Sequence, residues 1–68
     1  MTISAIYTRW LDIGETMEFH LYVTDLLGMN LRRYPGYFSI PIDYRMDYEV
    51  DYFRIDNDKV VIGISLPV

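Results

Sequence analysis

The sequence predicts a mainly β fold: a small antiparallel sheet of four to five strands with at most one short helix around residues 25–33, and so α+β if that helix forms. Three observations carry the prediction. Residues 16–24 alternate polar and apolar side chains, with Met17, Phe19, Leu21 and Val23 on one parity, as a half-buried strand requires. Residues 59–66 repeat the pattern with Val60, Ile62, Ile64 and Leu66. Between them, Phe38, Ile40, Ile42, Tyr44, Met46, Tyr48, Val50 and Tyr52 keep a single parity for fifteen residues.

Taken in order, residues 3–10 are β-prone with a muddled phase: Ile3, Ala5 and Tyr7 share one parity, Ile6 and Trp10 the other. They read as a strand covered on both faces. A turn through Leu11-Asp12-Ile13-Gly14-Glu15 leads into the 16–24 strand, and the two strands are expected to form a hairpin. From Thr24 the period changes. Thr24 or Asp25 suits a helix cap, Arg32-Arg33 suits the last turn, and Pro35-Gly36 ends the run. Leu27, Leu31 and Tyr34 would then face the sheet. Gly28 disfavours such a helix by ~1 kcal/mol relative to alanine, so a loop with one helical turn is the alternative.

The fifteen-residue run is too long for one strand. At ~3.3 Å per residue it would extend about 50 Å, whereas a 68-residue domain has a radius of gyration of about 11 Å. Pro41 is tolerated only at a strand end or an edge. The expectation is therefore a break between Pro41 and Met46, followed by a separate strand over 47–55; an arm reaching a second subunit is the alternative. After Tyr52 the apolar parity flips to Phe53 and Ile55, as a β-bulge would allow. Asp56-Asn57-Asp58 reads as a hairpin turn, because Asn and Asp accept positive φ, and 59–66 returns as the last strand. Trp10, Tyr7 and Phe19 are expected inside.

Length points to one domain, residues 1–68, near the size at which a single core just supports folding. The 51% hydrophobic and 16% aromatic content suffices for a compact interior and is far from a disordered composition. The absence of cysteine removes disulfides, thiolate chemistry and cysteine metal sites. Val60-Val61-Ile62-Gly63-Ile64 is far short of the ~20 residues of a membrane span, and the first residues lack an export pattern. The expected location is cytoplasmic. Because small domains gain stability by association, a homodimer or an obligatory partner is a fair expectation.

The chemistry-bearing motifs are weak. His20 is the only histidine and sits between Glu18 and Tyr22 on a polar strand face, so it reads as a surface or interface residue without the partner and pocket a general base needs. Ser4, Ser39 and Ser65 lack a nucleophile elbow. Asp56-Asn57-Asp58 lacks the ligand spacing, sixth-position glycine and terminal glutamate of a calcium loop. The four glycines are isolated and form no phosphate cradle. No catalytic residue, metal or cofactor is expected.

Charge distribution is more informative. The net charge is −4, and residues 43–58 alone hold six acids, Asp43, Asp47, Glu49, Asp51, Asp56 and Asp58, against Arg45 and Arg54. On an extended backbone, Asp43, Arg45, Asp47, Glu49 and Asp51 would form one edge and Tyr44, Met46, Tyr48, Val50 and Tyr52 the other. Basic residues are few apart from Arg32-Arg33, which argues against direct nucleic-acid binding and for a partner with a basic surface. Same-face carboxylates recur every ~6.7 Å on a strand, about two phosphate steps of a nucleic acid. In size and acidity the chain is similar to phage-encoded inhibitors, namely anti-restriction, anti-CRISPR and glycosylase-inhibitor proteins, although no motif of any one family is present. The expectation is a non-enzymatic inhibitor or regulator that docks on a basic surface of a protein partner, nucleic-acid-binding proteins being one class with such a surface, in the manner of anti-CRISPR or DNA-mimic inhibitors. A row of about three to five charges suits one basic patch and argues against mimicry of a long duplex. Asp43, Asp47, Glu49 and Asp51 would pair with Arg or Lys, and at least two of Tyr44, Tyr48 and Tyr52 would anchor the contact. The alternative is a structural or assembly β-domain that homodimerises through the same segment, its charges serving only solubility.

Overall fold

In the computed structural model, which describes residues 1–11 and 17–67, helix α1 (Ile3–Ile6) is followed by strands β1 (Glu18–Asp25) and β2 (Gly28–Tyr34), helix α2 (Ile42–Met46), and strands β3 (Val50–Asp56) and β4 (Lys59–Ser65). The strands form one sheet in the order β2-β1-β4-β3. The fold is mainly β with a small helical part. The outer pairs are antiparallel, as the sequence suggests, but the central β1–β4 pair is parallel. The reason is topological. After the β1–β2 hairpin the chain crosses through α2 to the far edge, lays down β3, and returns as β4 into the gap beside β1.

Central pairing places Phe19 beside Val60, Leu21 beside Ile62 and Val23 beside Ile64, and all six side chains are buried. The helical layer closes over them with Ile3, Ile6, Tyr37 and Ile40. Burying an aliphatic or Phe side chain of this size contributes ~1.5–3 kcal/mol, so the eight aliphatic residues and Phe19 of this cluster are the main source of stability in so short a chain. The alternations over 16–24 and 59–66 correspond to β1 and β4. The radius of gyration is 11.1 Å and the longest extent 34 Å, leaving no room for a fifteen-residue strand.

Two local expectations invert. Residues 3–10 are helical: α1 is capped by the Thr2 hydroxyl, which accepts from the Ala5 N–H at 3.2 Å, and the chain continues as a π-helix over Tyr7–Leu11. The muddled strand phase is helical spacing, since Ile3, Ile6, Tyr7 and Trp10 lie at i, i+3, i+4 and i+7. The first hairpin is therefore β1–β2, not 3–10 against 16–24. Trp10 is exposed and Tyr7 half-buried, so of the three expected interior aromatics only Phe19 is fully enclosed. Trp10 instead stacks on Phe53 at 5.6 Å. The turn expected over residues 11–15 lies outside the described residues, except for the backbone of Leu11.

Residues 25–33 form no helix. Asp25 accepts the Leu27 N–H at 2.9 Å, and Gly28 takes a φ of 123° that other residues rarely adopt. Asp at the first position and Gly at the fourth make a β-turn, after which β2 runs back along β1, with Leu31 exposed. At the other end, Asn57 has a φ of 60° and turns β3 into β4, as its residue type predicts.

Candidate functional site

The acidic and tyrosine-rich segment breaks where Pro41 requires, but not into an extended ladder. Residues 42–46 are helix α2, with Arg45 N–H donating to the Pro41 carbonyl at 3.2 Å and Asp47 N–H to the Asp43 carbonyl at 2.9 Å. The following strand begins at Val50 rather than at 47. The expected single edge of Asp43, Arg45, Asp47, Glu49 and Asp51 therefore does not exist.

The helix sorts the segment by four-residue spacing. Tyr44 and Tyr48 turn inward, half-buried, with ring centroids 6.0 Å apart, and pack on the core. Arg45 is also committed inward: its Nε donates to the Ile40 carbonyl at 3.0 Å and its guanidinium lies 5.0 Å from the Tyr37 ring centre and 5.6 Å from that of Phe38. Such a cation over two rings stabilises the fold on the order of 1 kcal/mol and turns the one basic side chain of α2 away from its outward surface. What faces solvent is Asp43 and Asp47 together with Ile42 and Met46. Phe38, just upstream, is exposed too.

The remaining acids lie elsewhere. Glu49 pairs with the amino group of Met1, while the Val50 N–H donates to the Met1 carbonyl at 2.7 Å. Asp51 sits in the bulge of β3, where the register shifts between Val50 and Tyr52, and accepts from the Ser65 hydroxyl at 2.6 Å. The bulge lies one or two residues earlier than the parity flip suggests. Tyr52 lies on the sheet face opposite the helices, with its ring over Gly63. A Cβ at Gly63 would fall 2.2 Å from that ring, so only glycine lets it lie flat. Asp43, Tyr44, Asp47 and Tyr48 are thus gathered around α2, whereas Asp51 and Tyr52 are not part of that surface.

The open sheet face carries His20, whose Nε2–H donates to the Glu18 carboxylate at 2.7 Å. A shallow hollow beside it, lined by Glu18, Arg33, Tyr34 and Pro35, does not take in His20. Among the described residues Tyr34 is the one group whose ionisation is clearly displaced. Burial pushes its hydroxyl above the ordinary value, with Tyr44 and Asp43 acting in the same direction and Arg32 opposing. Among the described residues no group of three or more potential metal ligands gathers, and no helix is long and apolar enough to cross a membrane.

Sequence reasoning missed Ile42 and Met46, the apolar half of the outward surface. Separations of four fit both a strand's period of two and a helix's i, i+4, so Ile42/Met46, Asp43/Asp47 and Tyr44/Tyr48 satisfy either pattern. Pro41, immediately before the run, is the signal that separates them, since proline belongs at a helix start and not within a strand. No protein-family model matches the chain, and no curated protein or solved structure matches it.

Proposed function

We propose that this chain is a non-enzymatic, cytoplasmic protein-binding module, an inhibitor or regulator that docks α2 on a basic surface of a protein partner. One observation carries the reading: α2 turns Ile42 and Met46 to solvent directly beside Asp43 and Asp47, while its tyrosines and Arg45 are used internally. Exposed apolar side chains beside same-sign charges have the composition of an interface whose centre is desolvated and whose rim steers encounter. Two carboxylates one helical turn apart suit a cluster of Arg or Lys better than a long row of phosphate sites, so a compact basic patch is the preferred target over full DNA mimicry. Tyr44 and Tyr48 set the position of the helix instead of contacting the partner.

The test is capture with immobilised protein followed by mass spectrometry, run in parallel with Asp43→Lys plus Asp47→Lys and with Ile42→Ala plus Met46→Ala. A partner should be retained by the native chain and lost by both double variants, and its affinity should fall between ~50 mM and ~300 mM salt. Retention by the charge-reversed variant, or affinity indifferent to salt, would refute the electrostatic mechanism.

A further inference from the structure

Strand β2 is an open sheet edge whose backbone pattern can be assigned residue by residue. Asp25 and Gly28 flank a two-residue turn and are register partners, so they exchange both backbone hydrogen bonds. Alternation along the ladder then points Gly28, Asn30, Arg32 and Tyr34 toward β1. The N–H and C=O groups of Met29, Leu31 and Arg33 point away from the sheet. Residues 28 to 33 are all exposed. The apolar side chains at this edge are unusually bare, with Leu26 79%, Leu27 96%, Met29 63% and Leu31 40% accessible. Of the usual guards against strand pairing, β2 has no proline, acid or bulge and its register with β1 is unbroken; its only charges are Arg32 and Arg33, which any pairing must accommodate.

We propose that this edge binds a second copy of the chain, β2 against β2 in antiparallel fashion, with Leu31 on the two-fold axis. Only registers that match outward-facing groups are allowed, and the strand's own residues choose among them. Centring on Leu31 pairs all seven residues. Leu31 meets its mate, Met29 meets Arg33 of the second copy, and Asn30 meets Arg32. Gly28 meets Tyr34, and the space where its Cβ would point is open. That last pair repeats what the fold already does with Tyr52 over Gly63, an aromatic ring covering a cross-strand glycine. Moving the centre to Arg32 sets arginine against arginine, and moving it to Asn30 leaves Arg33 and Tyr34 outside the paired strands.

On the open face the chosen register joins Tyr22 and Leu31 to their mates in one apolar row, and Leu27 of each turn comes opposite Pro35 of the second copy. A pairing of this kind is isologous and closes after two copies. It uses none of the α2 surface, so it stands or falls independently of the docking reading above.

The experiment combines sedimentation of the native chain with single-cysteine variants, which are clean because the sequence has no cysteine. The native chain should sediment as a concentration-dependent dimer of the 8.1 kDa protomer. Under mild oxidation Leu31→Cys should cross-link to itself, since hydrogen-bonded antiparallel partners have Cα atoms ≈ 5.5 Å apart, within disulfide range. Met29→Cys and Asn30→Cys should link far less. Leu31→Pro should sediment as a folded monomer, because the N–H it removes is not used within the sheet. Leu31→Lys, which sets two charges face to face, should weaken association about tenfold or more. A monomeric native chain, a dimer unaffected by Leu31→Lys, or preferential cross-linking at Asn30→Cys would overturn the proposal.

Discussion

The two edges of the sheet are built differently. β3 is closed by several small devices: a bulge at Asp51 tied to Ser65, the Met1 carbonyl bound to the Val50 N–H, and Trp10 stacked over Phe53. β2 is regular from Gly28 to Tyr34 and has no such cover among the described residues. Bulges and covering segments are how sheets avoid pairing with other chains. A fold that closes one edge and leaves the other straight confines any strand pairing to a single side. Of β2 only Tyr34 packs against the core, under the influence of Tyr44 and Asp43 of α2, while residues 28–33 are exposed.

That contrast can be broken residue by residue. The largest effect is expected from Asn30→Pro, which removes a donor used by β1 and should cost on the order of 3 kcal/mol; urea denaturation of the monomer would read it against Leu31→Pro, whose donor faces outward and whose cost should be clearly smaller. Next, Phe53→Ala strips the cover from the closed edge by removing a half-buried ring and the surface on which Trp10 stacks. About 2 kcal/mol should be lost, below the ~3–5 kcal/mol of fully buried Phe truncations because the ring is only half-buried, whereas Leu31→Ala on the open edge should stay within ~0.5 kcal/mol at concentrations where the chain is monomeric. Gly63→Ala forces the Tyr52 ring off the sheet and should cost about 1 kcal/mol. In a Tyr52→Ala background most of that cost should vanish, a coupling measurable as a double-mutant cycle.

The smallest effect concerns pH. Because burial raises the Tyr34 hydroxyl above its ordinary value of 10.0, the fold favours its neutral form. Its contribution is complete below pH 10 and declines as pH rises through the higher folded value. Tyr34→Phe should flatten that alkaline slope in a stability-versus-pH series. An unchanged slope would assign the alkaline loss to other groups.

Much of the sheet was legible because β1 buries one face and β4, although buried throughout Val60–Ile64, keeps its core-facing side chains at alternate positions, which period-two alternation reports through Phe19, Leu21, Val23, Val60, Ile62 and Ile64. The turn at Asn57 followed from residue type. The errors have local causes. Leu26 and Leu27 look like helix interior, yet they occupy the two central positions of a turn flanked by Asp25 and Gly28. Ile3, Ile6, Tyr7 and Trp10 carry helical spacing within a β-prone composition, and tertiary burial of Ile3 and Ile6 prevails over propensity. At the site, four-residue repeats are consistent with both periods, so alternation alone concealed α2 and suggested a ladder of five positions where only Asp43 and Asp47 share a face. The exposed edge of β2 was hidden for the same reason as its strand.

Amide hydrogen exchange followed by NMR at two protein concentrations tests the open edge most directly. The Leu31 and Arg33 amides should become markedly more protected as concentration rises, while the outward-facing amides of Phe53 and Ile55 on the closed edge stay unchanged. Protection at Leu31 independent of concentration, or a rise confined to Phe53 and Ile55, would contradict the assignment of β2 as the edge that takes a second copy.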